Sequence, residues 1–143
     1  MSIMAWVRPA RVETQGVIKK TENGSVNGYE LTLASTGRPF FRVNQTTSAN
    51  TYRVDGPDAL TLNSWTHLAG VYDGSTLRLY VNGTPTSPIP GPASINSNSL
   101  ALTFGAEVSG AYPLEGRIDD ARIFNVALTP EQIAQYMALP VAP

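Results

Sequence analysis

The chain has 143 residues, of which 42% are apolar and 15% charged, with a formal net charge of −1 and no cysteine. One domain of this size buries enough surface for its own core. The missing thiols exclude disulfides, thiol catalysis and cysteine-ligated metal centres, the even charge leaves no basic patch for nucleic acid, and no apolar run approaches the roughly 20 residues that span a bilayer, so no membrane insertion is expected.

Short β-prone runs open the chain at Ser2 to Val7 and at Gln15 to Lys20. Tyr29, Leu31 and Leu33 then alternate with Glu30 and Thr32, the period of a half-buried strand. Thr36-Gly37-Arg38-Pro39 turns the chain into a strand at Phe40 to Val43, and the polar stretch Asn44 to Asn50 reads as a loop. Tyr52 to Val54 is a weak strand ended by Asp55-Gly56-Pro57-Asp58. Trp65, His67, Ala69 and Val71 share one face of the next strand and Thr66, Leu68, Gly70 and Tyr72 the other, so both faces are covered and the strand is central. Asp73-Gly74-Ser75 joins it to Leu77, Leu79 and Val81 as a hairpin. Thr84 to Pro92 carries too many prolines for a central strand and reads as an exposed loop.

Leu100 to Phe104 is a further strand and Gly116 to Phe124 the last long one. In it Ile118, Ala121 and Ile123 are spaced by three and then two, which predicts a bulge near Asp119-Asp120. Thr129-Pro130-Glu131-Gln132 is a capping-box helix start, and Ile133, Tyr136 and Met137 make one amphipathic face. Residues 139–143 look like a linker or tail. The pattern is that of an all-β protein, a two-sheet antiparallel sandwich with one short C-terminal helix.

Chemistry-bearing residues are sparse. His67 is the only histidine. No nucleophile or metal motif accompanies it, so packing is its expected role. A glycosidase needs facing carboxylates, and Glu30, Glu107 and Glu115 are scattered among separate elements. Asp119 and Asp120 are adjacent and could begin a calcium site, although calcium takes six to eight oxygens. The plainer reading has them bonding loop amides or Arg117 and Arg122. Tyr52, Tyr72 and Tyr112, near turns, are the aromatic candidates for stacking on a sugar.

"WTHLAGVYDGSTLRLYVNG" and, further on, "GRIDDARIFNVALTPEQI", preceded by "SIMAWVRP" and "GYELTLASTGRPFFRV", resemble the laminin G-like jelly rolls of the concanavalin A-like lectin/glucanase superfamily. The resemblance covers residues 2–138 and implies an all-β, two-sheet antiparallel jelly-roll sandwich that is a scaffold for binding, with Trp65 as a buried strand tryptophan and Asp119 as an aspartate that helps to hold calcium. It also implies N-terminal strands that this chain lacks, leaving an uncovered sheet edge that a homodimer would fill. The expected function is a noncatalytic binding or adhesion module of a larger secreted, bacterial-type protein, extracellular or at the cell surface, taking carbohydrate or a cell-surface protein as partner. A self-assembling spacer and a glycoside hydrolase fragment are the alternatives.

Overall fold

Alternating apolar runs build both sheets of a sandwich, seen in a computed structural model that describes residues 1–139. The strands are β1 (Ser2–Pro9), β2 (Gln15–Lys19), β3 (Tyr29–Leu33), β4 (Pro39–Val43), β5 (Arg53–Asp55), β6 (Thr66–Tyr72), β7 (Thr76–Val81), β8 (Thr84–Pro85), β9 (Ile89–Pro90), β10 (Thr103–Phe104) and β11 (Gly116–Phe124). A helical turn, α1 (Gln45–Ser48), follows β4, and α2 (Pro130–Ala138) follows β11. The tail beyond Leu139 lies outside the described residues.

One sheet has the order β11-β1-β6-β7-β8, with β9 also on β7; the other has the order β10-β2-β3-β4-β5. Every named pairing is antiparallel. Ile3, Ile18, Leu31, Leu33, Phe41, Leu68, Leu77 and Leu79 fill the space between the sheets and are fully or almost fully buried. Gly70, in mid-strand, is there for space: a Cβ on it would lie 2.5 Å from the Phe41 ring carbons. The hairpin turn is fixed by Asp73, whose Oδ1 accepts from the Ser75 and Thr76 amides at 2.8 and 2.7 Å.

Three local expectations change. Asn44 to Asn50, read as a loop, contains α1. The proline-rich loop after β7 adds β8 and β9 to a sheet edge, where a missing amide donor is tolerated. The strand read at Leu100 shrinks to Thr103–Phe104.

The uncovered edge expected at the first strand is corrected, because β1 lies inside its sheet between β11 and β6. The edges are elsewhere. β10 has two residues and β5 three, and β8 and β9 each end in proline. The long edge strand, β11, carries Arg117, Asp119 and Arg122 and is bulged. Short, charged, proline-containing or bulged edges resist strand addition.

The predicted bulge is present: Met4 pairs with Arg122 and Trp6 with Asp119, so β11 holds one residue more than β1 over that interval, and Asp120 takes φ 48°. The outer face of the six-stranded sheet buries Met4, Ala69, Val71 and Tyr80 under Leu128 and Ile133. Helix α2 starts at the predicted capping box, with Gln132 Oε1 accepting from the Thr129 amide at 2.9 Å and Thr129 Oγ1 from the Gln132 amide at 3.3 Å. At its other end Arg122 donates to the carbonyl of Tyr136 at 2.7 Å and to that of Leu139, where the helix dipole favours a cation.

Candidate functional site

The outer face of the five-stranded sheet is polar, and the strand register explains why. Lys19 lies opposite Glu30, Glu30 opposite Arg42, Arg42 opposite Arg53, Thr32 opposite Phe40 and Phe40 opposite Asp55. Residues that alternate along each strand therefore meet across four adjacent strands. They floor a groove of about 480 Å3, also lined by Thr14, Asn23, Arg38 and Tyr112.

Glu30 is the hub. Its Oε2 sits 3.0 Å from Lys19 Nζ and accepts from Thr32 Oγ1 at 2.8 Å, while its Oε1 accepts from Arg42 Nε at 2.6 Å. Lys19 Nζ also donates to Glu107 Oε1 at 2.6 Å, and Arg42 Nη1 to Asn50 Oδ1 at 2.8 Å. Lys19, Glu30, Arg42 and Glu107 are all buried. Burial pushes the Glu30 carboxyl up, but the charges of Lys19 and Arg42, with hydrogen bonds from Lys19 and Thr32, outweigh it and hold the group below its ordinary 4.5. Ions out of water are stable only when paired this completely, so the groove floor is a rigid array of donors and acceptors.

Aromatic rings flank the array. The Arg53 guanidinium lies 3.9 Å from the Phe40 ring centre and Arg42 5.1 Å from it, while Arg53 Nη2 is 2.5 Å from Asp55 Oδ1. Tyr112, held at φ 52°, accepts from Asn23 Nδ2 at 3.0 Å, and the Lys19 ammonium sits 5.4 Å from its ring centre.

Of the aromatic candidates, Tyr112 alone lines this groove. Tyr72 is corrected: it is buried, and its hydroxyl donates to the Pro92 carbonyl at 2.6 Å, so it packs the core. Tyr52 is half-buried against that core. Lys19 and Arg42 were not among the sequence candidates, and Glu30 and Glu107 were weighed only as separate carboxylates. The signal for Lys19, Glu30 and Arg42 was the polar residue alternating with core residues on β2, β3 and β4; Glu107 comes from the loop after β10.

Trp65 is also corrected. It precedes β6 and is 42% exposed. With Trp6, Asp119 and Asp120 it lines a cleft of about 300 Å3 on the other sheet. The bulge brings neighbouring aspartates to one cleft, which a regular strand would not. The donor set is short of what calcium takes: among the described residues no group of three His, Cys, Asp or Glu side chains comes together to hold a metal. His67 is fully buried beside Trp6, ring centres 5.4 Å apart and edge-on, so packing is its visible role. No helix among the described residues is long and apolar enough to cross a membrane.

Residues 1–134 match a laminin G-type family model described as the concanavalin A-like lectin/glucanases superfamily. Human usherin is 22% identical over 140 residues, which are 94% of this chain but 3% of usherin. Among solved structures, a candidate carbohydrate binding protein from Bacteroides ovatus superposes with a TM-score of 0.75 at 19% identity, over 94% of this chain and 39% of that one. The CBM40 module of the Ruminococcus gnavus IT-sialidase, solved with α2,3-sialyllactose, gives 0.73 at 15% identity, over 94% of this chain and 80% of that one.

Proposed function

Because the chain belongs to the concanavalin A-like lectin/glucanase superfamily, we propose that it is a noncatalytic carbohydrate-binding module whose ligand lies in the groove on the five-stranded sheet. The observation that carries this reading is the floor of that groove, where Glu30, Lys19, Arg42 and Thr32 are locked by mutual bonds beside the ring of Tyr112. Fixed donors and acceptors suit sugar hydroxyls, and an aromatic face suits the C–H face of a sugar ring. The sialyllactose-bound module of the same fold supports the ligand class.

Hydrolysis is not part of the proposal. A general acid needs a raised carboxyl value, and here Glu30 is held low by Lys19 and Arg42. The matched segment is a small part of usherin, which supports a module within a larger protein, and we place that protein outside the cell or at its surface.

A glycan microarray probed with the wild-type chain and with Tyr112→Ala, both checked for folding by thermal melt, tests the reading. Defined glycan binding that falls at least tenfold in the variant is expected. A silent array, or binding that the substitution leaves unchanged, overturns it.

A further inference from the structure

The groove does not stop at the rim of its sheet. Arg38 and Asp55 line both the groove and a second cleft of about 360 Å3, whose other walls include Pro57, Val81, Pro85 and Ser87. The two hollows therefore meet at one wall. It stands at the end of β5, which is only three residues long, and across it lies β8, at the edge of the six-stranded sheet. A ligand that runs out of the groove past Asp55 enters the cleft directly.

The wall is fixed from behind. Arg38 donates from Nε and Nη2 to the Gly56 carbonyl at 3.1 and 2.7 Å, and the Gly56 amide donates to the Pro39 carbonyl at 2.7 Å. A Cβ on Gly56 would lie 2.7 Å from Pro39 Cγ, so this close approach needs glycine. A guanidinium carries five N–H donors, and Arg38 has no carboxylate partner among the described residues. The donors that Gly56 does not take up stand between the hollows. Asp55, held by Arg53, supplies acceptor oxygens at the same place.

The cleft itself mixes surfaces as a sugar does. Pro57, Val81 and Pro85 are its apolar part, and Thr84, Thr86 and Ser87 bring hydroxyls. A sugar ring is apolar on its C–H faces and polar at its edge. Both hollows, about 480 and about 360 Å3, fall within the roughly 300–1,000 Å3 of small-ligand sites. A peptide is the poorer occupant. The Thr86 amide faces β7, donating to the Leu79 carbonyl at 2.8 Å, so the nitrogen of residue 85 faces the open edge, and proline has no N–H there to offer an added strand.

With a saccharide in the groove as the premise, we propose that the cleft is a second subsite and that the ligand is a linear oligosaccharide bent over the end of β5. Arg38 and Asp55 then sit at the junction between the subsites.

Isothermal titration calorimetry with arabino-, xylo-, cello- and N-acetyllactosamine oligosaccharides of two and six units tests this on the wild-type chain, Ser87→Leu and Tyr112→Ala, each checked for folding by thermal melt. Ser87 is exposed and lines the cleft but not the groove, so leucine fills the cleft alone. At least one series should bind, its six-unit member at least tenfold more tightly than its two-unit member. Ser87→Leu should remove that gain and leave the two-unit affinity unchanged, whereas Tyr112→Ala should weaken both lengths. A second readout needs no variant: the Val81 and Thr84 amides of the nitrogen-labelled chain should shift with the six-unit ligand and stay still with the two-unit one. Equal affinities at both lengths, a gain that survives Ser87→Leu, or silent cleft amides overturn the subsite and leave the groove reading standing. No binding at any length, or binding untouched by Tyr112→Ala, overturns the groove reading, and the subsite falls with it.

Discussion

The sheets use their outer faces in opposite ways. On the five-stranded sheet, Lys19, Glu30, Arg42 and Glu107 are charged and yet buried, each held by the others. On the six-stranded sheet, Met4, Ala69, Val71 and Tyr80 are apolar and hidden by Leu128 and Ile133, while another part of that sheet carries exposed indole and carboxylate. One face is stabilised by pairing and the other by burial of apolar area. The first therefore fails when a single partner is lost, and the second loses stability in proportion to what is cut away.

The largest effect expected from this contrast is at the hub. Glu30→Ala leaves Lys19 and Arg42 without their shared partner and should cost about 3–5 kcal/mol, the range for breaking a buried ion pair, measured by urea unfolding. A cost near that of an exposed pair, under about 1 kcal/mol, would mean that the groove is wet and its charges loosely held. On the other face, Ile133→Ala removes the buried anchor of α2 and should cost about 2–4 kcal/mol.

Acid separates the faces further. The folded value of His67, about 4, lies below its unfolded 6.5, so the unfolded chain takes up a proton that the folded chain refuses as pH falls across that window. Stability should drop there by about 2 kcal/mol, allowing for some solvent screening. His67→Phe should abolish that part of the pH profile. Glu30 acts lower: its contribution is complete above 4.5 and is lost as pH falls below it. The smallest effect is at the exposed tryptophan, where Trp65→Ala should change stability by less than about 1 kcal/mol in the same melts.

The architecture was legible because it rests on local rules. Period-2 runs marked β3, β6 and β7, the spacing of Ile118, Ala121 and Ile123 marked the bulge, and Thr129 with Gln132 marked the helix start. The groove was not legible. Glu30, Arg42 and Lys19 occupy the positions of ordinary solvent-facing strand residues, and only the pairing register and the loop carrying Glu107 turn them into a buried network. Trp65 misled for the converse reason. It continues the alternation of His67 and Ala69, but β6 begins one residue later, and Trp65 is not among the residues packed under Leu128 and Ile133. Residues brought together by register or by distant loops have no signature along the chain.

That the groove on the five-stranded sheet holds a saccharide is tested most directly by a nuclear magnetic resonance titration of the nitrogen-labelled chain with the glycan selected on the array. The account predicts saturable amide shifts clustered at Lys19, Thr32, Arg53 and Tyr112, with Trp6, Trp65 and α2 unmoved. Shifts confined to the tryptophan cleft or the helix, with those groove amides silent, would contradict it.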